Sequence, residues 1–439
     1  MSHPTETHRP RSVLTDQLRV AVVGRALPWV VLWILSRGWM LHQWAKEYSF
    51  IVNDVRYYFR QLQQAENYQT VLREYPMPVV WLLDALRIPI DDDVALYCML
   101  FALVMAVLDA GFSVWLWKEH SRVAAIYWML FTFAMGPLIW FRYDLLAGVV
   151  VGAAVFMVAT RPRLSGCLMA LGAGIKLWPA LLLAPLLGRD RDSRQRLLGF
   201  GVTGFALALA SLLVSGPARL ISPITWQSGR GLQIESPWAS VPMWLRAFGG
   251  AERQAGNAGY RWDVHMSPYN AFEVFGPGVA ELLLASSIAM AAGVFYAALV
   301  AIRMLRREVP ADVRALACLS IVLVMLSANK TLSPQYVAWL GAVSAAWLGL
   351  APRGTERAKA VLVALASLLI ALATQFVYPN HYIGLITPAQ ADPTVTAVLV
   401  GRNLALVALT LLTVWWTVER LISRRFAQAT RVTDNIAPR

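Results

Sequence analysis

The sequence predicts an all-α polytopic membrane protein with about twelve transmembrane segments, and three observations carry that expectation. Apolar runs of membrane length recur from Ala21 to Val418. The connections between most of them are short and basic. Tryptophan, whose apolar ring and polar N–H suit a membrane–water interface, occurs 18 times in 439 residues. Hydrophobic residues make up 58% of the chain, above the roughly 45–50% usual in soluble domains, and mean hydropathy is +0.52.

The net charge of +13 raises the question of a nucleic-acid partner. The positive residues, however, are strung between apolar runs and form no compact basic domain. Loop charge and contact with anionic lipid account for them, so no nucleic acid is expected. Cys98, Cys167 and Cys318 all lie inside apolar runs, without the spacing of a disulfide framework or a CxxC metal pair, and read as packing residues. The polar stretch before Ala21 leads into a long apolar run without a clear cleavage site, so the first span reads as retained.

A hydrocarbon core needs about 20 apolar residues per helix. Spans are accordingly expected at 21–43, 93–116, 123–141, 145–160, 164–187, 197–215, 278–302, 313–328, 336–350, 359–378 and 396–418. Basic residues before the first span and at 118–122, 161–163, 189–196, 303–307, 353–359 and 420–425 put those connections, and both termini, on the cytoplasmic side. The clusters at 161–163 and 189–196 then share a side although a single apolar segment separates them. Two half-helices meeting near Lys176-Leu177-Trp178-Pro179 would satisfy this, with Gly172, Gly174 and Pro179 as breaks. One tilted span is the alternative. The chain thus divides into an N-terminal tail (1–20), a transmembrane catalytic domain (21–418) and a C-terminal tail (419–439).

Two long connections face outward in this scheme, 44–92 and 216–277. The first holds an amphipathic stretch, 54–72, with Val55, Tyr58, Phe59 and Leu62 at helical spacing, suited to the interface plane. The second is rich in Trp, Pro, Ser and Gly. Aromatic-rich loops of this length are usually functional, so the chemistry is expected on the outer face.

Four polar clusters could carry it. Asp54, in Asn53-Asp54-Val55-Arg56-Tyr57-Tyr58, is a carboxylate among aromatic residues, placed to take a proton from a hydroxyl; pairing with Arg56 or capping a helix is the plainer reading. Arg142-Tyr143-Asp144 lies at the outer end of a span, where the arginine either meets a ligand or neutralises its neighbour. In Trp226–Ser236 the glycines permit close backbone approach, Arg230 offers a fork for phosphate, and Glu235 an acceptor for sugar hydroxyls. In Ser327–Tyr336, Lys330 has no nearby acid in sequence and wants an anion, a headgroup or water; Lys176 is similar. Asp109, in the middle of a span, reads as a structural hydrogen-bond anchor. His265 and His381 are isolated, so no metal site is supported.

The order of these clusters, outward Asp54, then Arg142-Tyr143-Asp144, then Arg230-Gly231-Leu232-Gln233-Ile234-Glu235-Ser236, then Asn329-Lys330-Thr331-Leu332-Ser333-Pro334-Gln335-Tyr336, resembles glycosyltransferase family 87 over about residues 20–420. These are actinobacterial polyprenyl-phosphate-mannose-dependent transferases of the GT-C superfamily, among them α-1,2-mannosyltransferases of phosphatidylinositol mannosides and lipomannan. The resemblance implies a GT-C-type fold with interfacial helices in the first outer loop, in the bacterial plasma membrane, with an extracytoplasmic active site. Asp54 would be the catalytic base. Lys330, Arg230, Arg142, Lys176, Glu235, Gln335 and Tyr336 would bind the donor phosphate and sugar, with Arg56 and Tyr75 on the acceptor side. Where some members are described with a histidine near the donor phosphate, this chain has Asn329-Lys330, which leaves the acceptor open.

The expected reaction is inverting transfer of mannose from a polyprenyl monophosphate to a hydroxyl of a glycolipid or lipoglycan. The phosphate is a weakly basic leaving group, so one carboxylate suffices where glycoside hydrolases use two. No cofactor or metal is expected, and the protein is expected to act as a monomer among membrane lipids. An arabinofuranose donor, or transport of a lipid-linked sugar, are the alternatives.

Overall fold

A computed structural model of the chain describes residues 11–47, 50–90, 92–119, 121–249, 262–387 and 391–422. The tail residues 1–10 and 423–439, and positions 250–261 of the second long connection, lie outside the described residues. The chain divides into two units, Met1–Tyr48 and Ser49–Arg439. The first is a single helix, α1 (Arg11–Glu47), which contains the expected span 21–43 and carries Pro28 within it. Its Leu27, Val30, Ile34 and Leu35 are exposed, as lipid-facing residues would be.

In the second unit, α2 (Asn53–Gln63) and α3 (Met77–Arg87) are short. They are followed by α4 (Val94–Glu119), α5 (Arg122–Met135), α6 (Asp144–Phe156), α7 (Pro162–Ile175) and α8 (Arg191–Ser215). The second long connection folds into α9 (Pro217–Ser228), α10 (Ser240–Phe248) and an antiparallel hairpin of β1 (Asp263–Met266) and β2 (Phe272–Phe275). Helices α11 (Val279–Arg306), α12 (Ala311–Ala328), α13 (Ala338–Leu350), α14 (Thr355–Gln375) and α15 (Pro393–Ile422) complete it.

Seven helices among the described residues are long and apolar enough to cross a membrane. They match the expected spans 93–116, 123–141, 197–215, 278–302, 313–328, 359–378 and 396–418. The expected spans 145–160 and 336–350 are shorter than they read. Helices α6 and α13 have 13 residues each, about 20 Å at about 1.5 Å per residue, against about 30 Å of hydrocarbon. Both are buried and lie against each other, Gly152 so close to Ala342 that an added Cβ would come within 2.6 Å of its side chain. Small residues let the backbones approach.

Each short helix abuts a break. A 3-10 turn, Gly136–Phe141, precedes α6. Its Gly136 has φ +65° and no room for a side chain, because Gln375 fills the space. Another, Pro334–Val337, precedes α13. The third break follows α7, where Lys176 is extended before the 3-10 turn Trp178–Leu182. Backbone freed from helical bonding in an apolar region is tolerable only inside protein; the first two breaks are largely buried, and in the third Trp178, Pro179 and Leu182 are buried while Leu177 and Ala180 are exposed.

The flanks of the segment 164–187 lie close together. Arg196, near the start of α8, donates through Nη1 to the carbonyl of Val158 and through Nε to that of Leu186, each at 2.8 Å. One guanidinium thus holds both ends of the segment. Asp190 caps α8 by accepting from the Ser193 amide, and binds Arg196 and Arg314. Glycines allow α7 and α8 to cross closely: an added Cβ at Gly166 would meet the Arg196 carbonyl at 2.0 Å.

The amphipathic stretch expected over 54–72 ends sooner, at Gln63, before turns and then α3, started by Pro76 and Pro78. The four residues read as its apolar face, Val55, Tyr58, Phe59 and Leu62, are all buried. Asp109 accepts from the Trp128 indole at 3.0 Å, the structural anchor expected of it. The three cysteines carry no disulfide.

The β-hairpin departs from an all-α expectation. Phe272-Glu273-Val274-Phe275 forms one arm, rich in β-branched and aromatic residues, and Asn270, at φ 58°, closes the turn by donating to the Ser267 carbonyl. With Leu232, Ile234 and Met243 the hairpin's Val274 forms a small apolar core against Leu385 and Leu399. Glu235, read from sequence as a sugar ligand, lies under this layer, its side chain wholly buried and paired with the equally buried Arg402 at 3.2 Å. Burial pushes its carboxyl up to about 7 against the pull of Arg402. It ties the second connection to α15.

Two pairs of variants test these contacts. Gly166→Val should cost about 1–3 kcal/mol of overpacking, while Gly201→Val, where nothing lies within 4 Å, should be tolerated; equal melting in detergent would mean a looser crossing. Arg402→Leu strands a buried carboxylate and should destabilise by about 3–5 kcal/mol, whereas Glu235→Leu with Arg402→Leu should recover most of that loss. A double variant no more stable than Arg402→Leu alone would refute the pairing.

Candidate functional site

The candidate site is built where α2, the break before α6 and the break after α7 meet. Asp54 stands in the first turn of α2, where a carboxylate is favoured by the helix dipole. It does not pair with Arg56, which lies instead near Asn53, its Nη1 3.5 Å from Oδ1. Its partner is Arg142, 3.0 Å away from Nε to Oδ2. The two are unequally exposed, 4% for the arginine side chain and 32% for the aspartate, so the carboxylate presents its open side to a ligand. Arg142 also donates to the carbonyls of Ile51 at 2.6 Å and Phe141 at 2.8 Å, and reaches the Tyr378 hydroxyl at 3.4 Å.

Asp144 takes a different cation. Its Oδ1 accepts from Lys176 Nζ and from the Trp339 indole, both at 2.7 Å. The two charges adjacent in Arg142-Tyr143-Asp144 therefore do not neutralise each other; each binds a residue from elsewhere in the chain. Lys176 lies over the rings of Tyr336 at 4.4 Å and Tyr143 at 5.0 Å, within the range of cation–π attraction. Trp339 is stacked between Trp178 at 4.9 Å and Tyr336 at 4.5 Å. Lys176 and Tyr336 thus meet, as the sequence reading had them near one ligand, but the ammonium is already matched by a carboxylate.

Between the pairs lies a floor of phenols. Tyr58 and Tyr143 are buried, and both contact Tyr75, edge to face at 5.7 and 5.3 Å. Above it a half-exposed polar line continues from Asp54. Tyr57, one turn along α2, donates to Glu74 Oε1 at 2.8 Å. Burial pushes the Glu74 carboxyl up from its ordinary range, and Arg219 and Arg230 pull it back.

The second connection supplies the far end of that line. Arg230 acts on Glu74 and on Lys330, and burial pushes the Lys330 ammonium down while Glu273 draws it up. Lys330 Nζ donates to the Ser228 carbonyl at 3.3 Å. Two contacts lock the Arg230 loop to the Lys330 hairpin: the Gln233 amide donates to the Lys330 carbonyl at 3.0 Å, and the Gln233 side chain meets Ser333 at 3.2 Å. Glu273 accepts from the Gly231 amide at 3.0 Å, so tightly that an added Cβ there would meet the carboxylate. Gln335 sits half-buried in the turn Pro334–Val337.

The fold brings Asp54, Tyr75, Arg142, Lys176 and Tyr336 together and places Arg230 and Lys330 along the same polar line. It withdraws Glu235 into the pair with Arg402 and turns Arg56 to Asn53. Sequence reasoning missed Glu74, Glu273 and Trp339. Glu74 sits beside Tyr75, which was singled out, yet nothing local separates it from Glu66 or Asp84.

The model of glycosyltransferase family 87 matches residues 75–328, more than half of the chain. The match takes in Arg142, Asp144, Lys176 and Arg230, and it begins after Asp54 and ends before Lys330, whose places in the site therefore rest on geometry. No curated protein and no solved structure matches the chain. With seven helices fit to cross a membrane and the family's model matched over most of its polar clusters, the chain belongs to glycosyltransferase family 87, and is a membrane glycosyltransferase.

Proposed function

We propose that the protein is an inverting transferase that moves mannose from a polyprenyl monophosphate to a hydroxyl of a cell-envelope glycolipid or lipoglycan, at the extracytoplasmic face of a bacterial plasma membrane. The observation that carries this reading is a half-exposed carboxylate, Asp54, fixed by a buried arginine at the end of a polar line that leads to two open cations. A hydroxyl nucleophile needs the first, and a phosphate leaving group the second.

In the proposed step the acceptor oxygen attacks the anomeric carbon as the bond from that carbon to the phosphate oxygen breaks. Asp54 takes the hydroxyl proton, and the phosphate departs with the bonding pair. Attack opposite the leaving group inverts the centre, so a β-linked donor gives an α-mannoside. Arg230 and Lys330 are the cations for the phosphate. Arg142 and Lys176, assigned to the phosphate from sequence alone, instead hold Asp54 and Asp144 in place. The mannose donor, the glycolipid acceptor, the GT-C-type fold and the cytoplasmic termini rest on the sequence resemblance and the loop charges.

Asp54→Asn keeps the shape and removes the proton acceptor, and Arg142 retains its carbonyl acceptors in that variant. Turnover at saturating donor and acceptor should fall about 10²–10⁴-fold, with donor affinity and monodispersity unchanged. Retention of more than about a tenth of turnover, less than the smallest loss expected for a base, would remove Asp54 from the mechanism. Because Lys and Arg can meet the charge of a monophosphate unaided, transfer of radiolabelled mannose should persist in EDTA. Loss of transfer restored by Mg²⁺ or Mn²⁺ would contradict that.

A further inference from the structure

We propose that Glu74, held by Tyr57, binds the acceptor by a hydroxyl neighbouring the one that is attacked; this rests on the reading of Asp54 as the base. Tyr57 stands one turn after Asp54 on α2, so the two side chains share a helix face. Its hydroxyl donates to one carboxylate oxygen of Glu74 at 2.8 Å, and a half-exposed carboxylate has lone pairs beyond that bond with which to accept from a ligand. Asp54, Tyr57 and Glu74 are all half-exposed, beside the buried rings of Tyr58 and Tyr143. Two half-exposed carboxylates on one face suit a polyol, whose hydroxyls donate hydrogen bonds to them.

Glu74 has no evident structural duty. It caps neither α2 nor α3, and among the described residues it makes no direct ion pair. A carboxylate that is partly desolvated without a paired charge is costly to keep. A hydroxylated ligand offsets that cost when it binds. Arg219 acts on Glu74 only at a distance: its Nη1 donates to Ser222 and its Nη2 to the carbonyls of Val71 and Leu72. The acceptor class implied is a glycoside or polyol with adjacent hydroxyls, one directed to Asp54 and its neighbour to Glu74. A simple alcohol or a lone lipid hydroxyl would leave Glu74 unmatched.

The test uses the purified full chain in a sugar-free detergent, with octyl α-mannoside as probe. Calorimetric binding without donor should weaken about tenfold or more in Glu74→Ala, the loss expected for a hydrogen bond to a charged group, with an intermediate loss in Tyr57→Phe. In transfer assays Glu74→Ala should raise the acceptor KM by a similar factor and leave kcat and donor KM within about threefold. Monodeoxy analogues of the probe add a readout that a structural role would not move. The wild type should discriminate against one of them, and Glu74→Ala should lose that discrimination. Equal binding by wild type and variant, no measurable binding by the wild type, or discrimination unchanged in the variant would each overturn the assignment. Binding that behaves as expected, in a protein that transfers no mannose, would instead refute the proposed reaction and leave the sugar subsite standing.

Discussion

A guanidinium buried in an apolar interior must find acceptors or the fold loses several kcal/mol, and Arg142 finds its acceptors in three separate parts of the chain. The Ile51 carbonyl comes from the turn that enters α2, the Phe141 carbonyl from the break before α6, and the Tyr378 hydroxyl from the segment Phe376–Asn380 that follows α14. These contacts fix the start of α2 against the core, and Asp54 with it. The position of the candidate base is thus a consequence of satisfying a buried cation. Because the arginine has carbonyl partners of its own, the carboxylate is oriented by the pair without being used up by it.

The same constraint explains the short helices. A full-length span would carry its backbone bonds past the site and leave no place for a polar side chain to enter. Breaks at Gly136–Phe141, at Lys176 and at Pro334–Val337 open the backbone inside the protein, and the side chains at those points meet: Asp144 from the first, Lys176 from the second, Tyr336 from the third. The charge pair and its aromatic stack lend the broken region the support that helical bonding would have given it.

Much of this was legible in the sequence, and the line between what was and was not is physical. Periodicity is local, so the buried face of α2 and seven spans could be read from spacing alone. For 164–187 charge asymmetry favoured two half-helices over one tilted span, and in the structure Arg196 joins the two flanks of the segment. Pairing is not local. Arg142 is next but one to Asp144 in sequence, yet the carboxylate it pairs with is Asp54, 88 positions earlier. Glu235 looked like a sugar ligand because its loop is polar, and only the fold shows Arg402, on a distant helix, claiming it. The helix lengths of α6 and α13 misled for a related reason: apolar residues run on through a break that composition cannot see.

Charge balance within the site bears on where an anionic donor would sit. Asp54 with Arg142, and Asp144 with Lys176, are each neutral as pairs, and both are held mostly inside the protein. Along the open line the half-exposed cations Arg230 and Lys330 face the carboxylates Glu74 and Glu273, while Arg219 is buried. The cations left open to an anion are therefore Arg230 and Lys330. Burial lowers the Lys330 ammonium from its ordinary range while Glu273 draws it up, and a phosphate beside it would act in the same sense as Glu273. In the proposed reaction this separation of functions has a chemical rationale. The proton is taken at one end by a carboxylate whose partner is buried, and the leaving group is met at the other by cations that remain open, with the sugar between them.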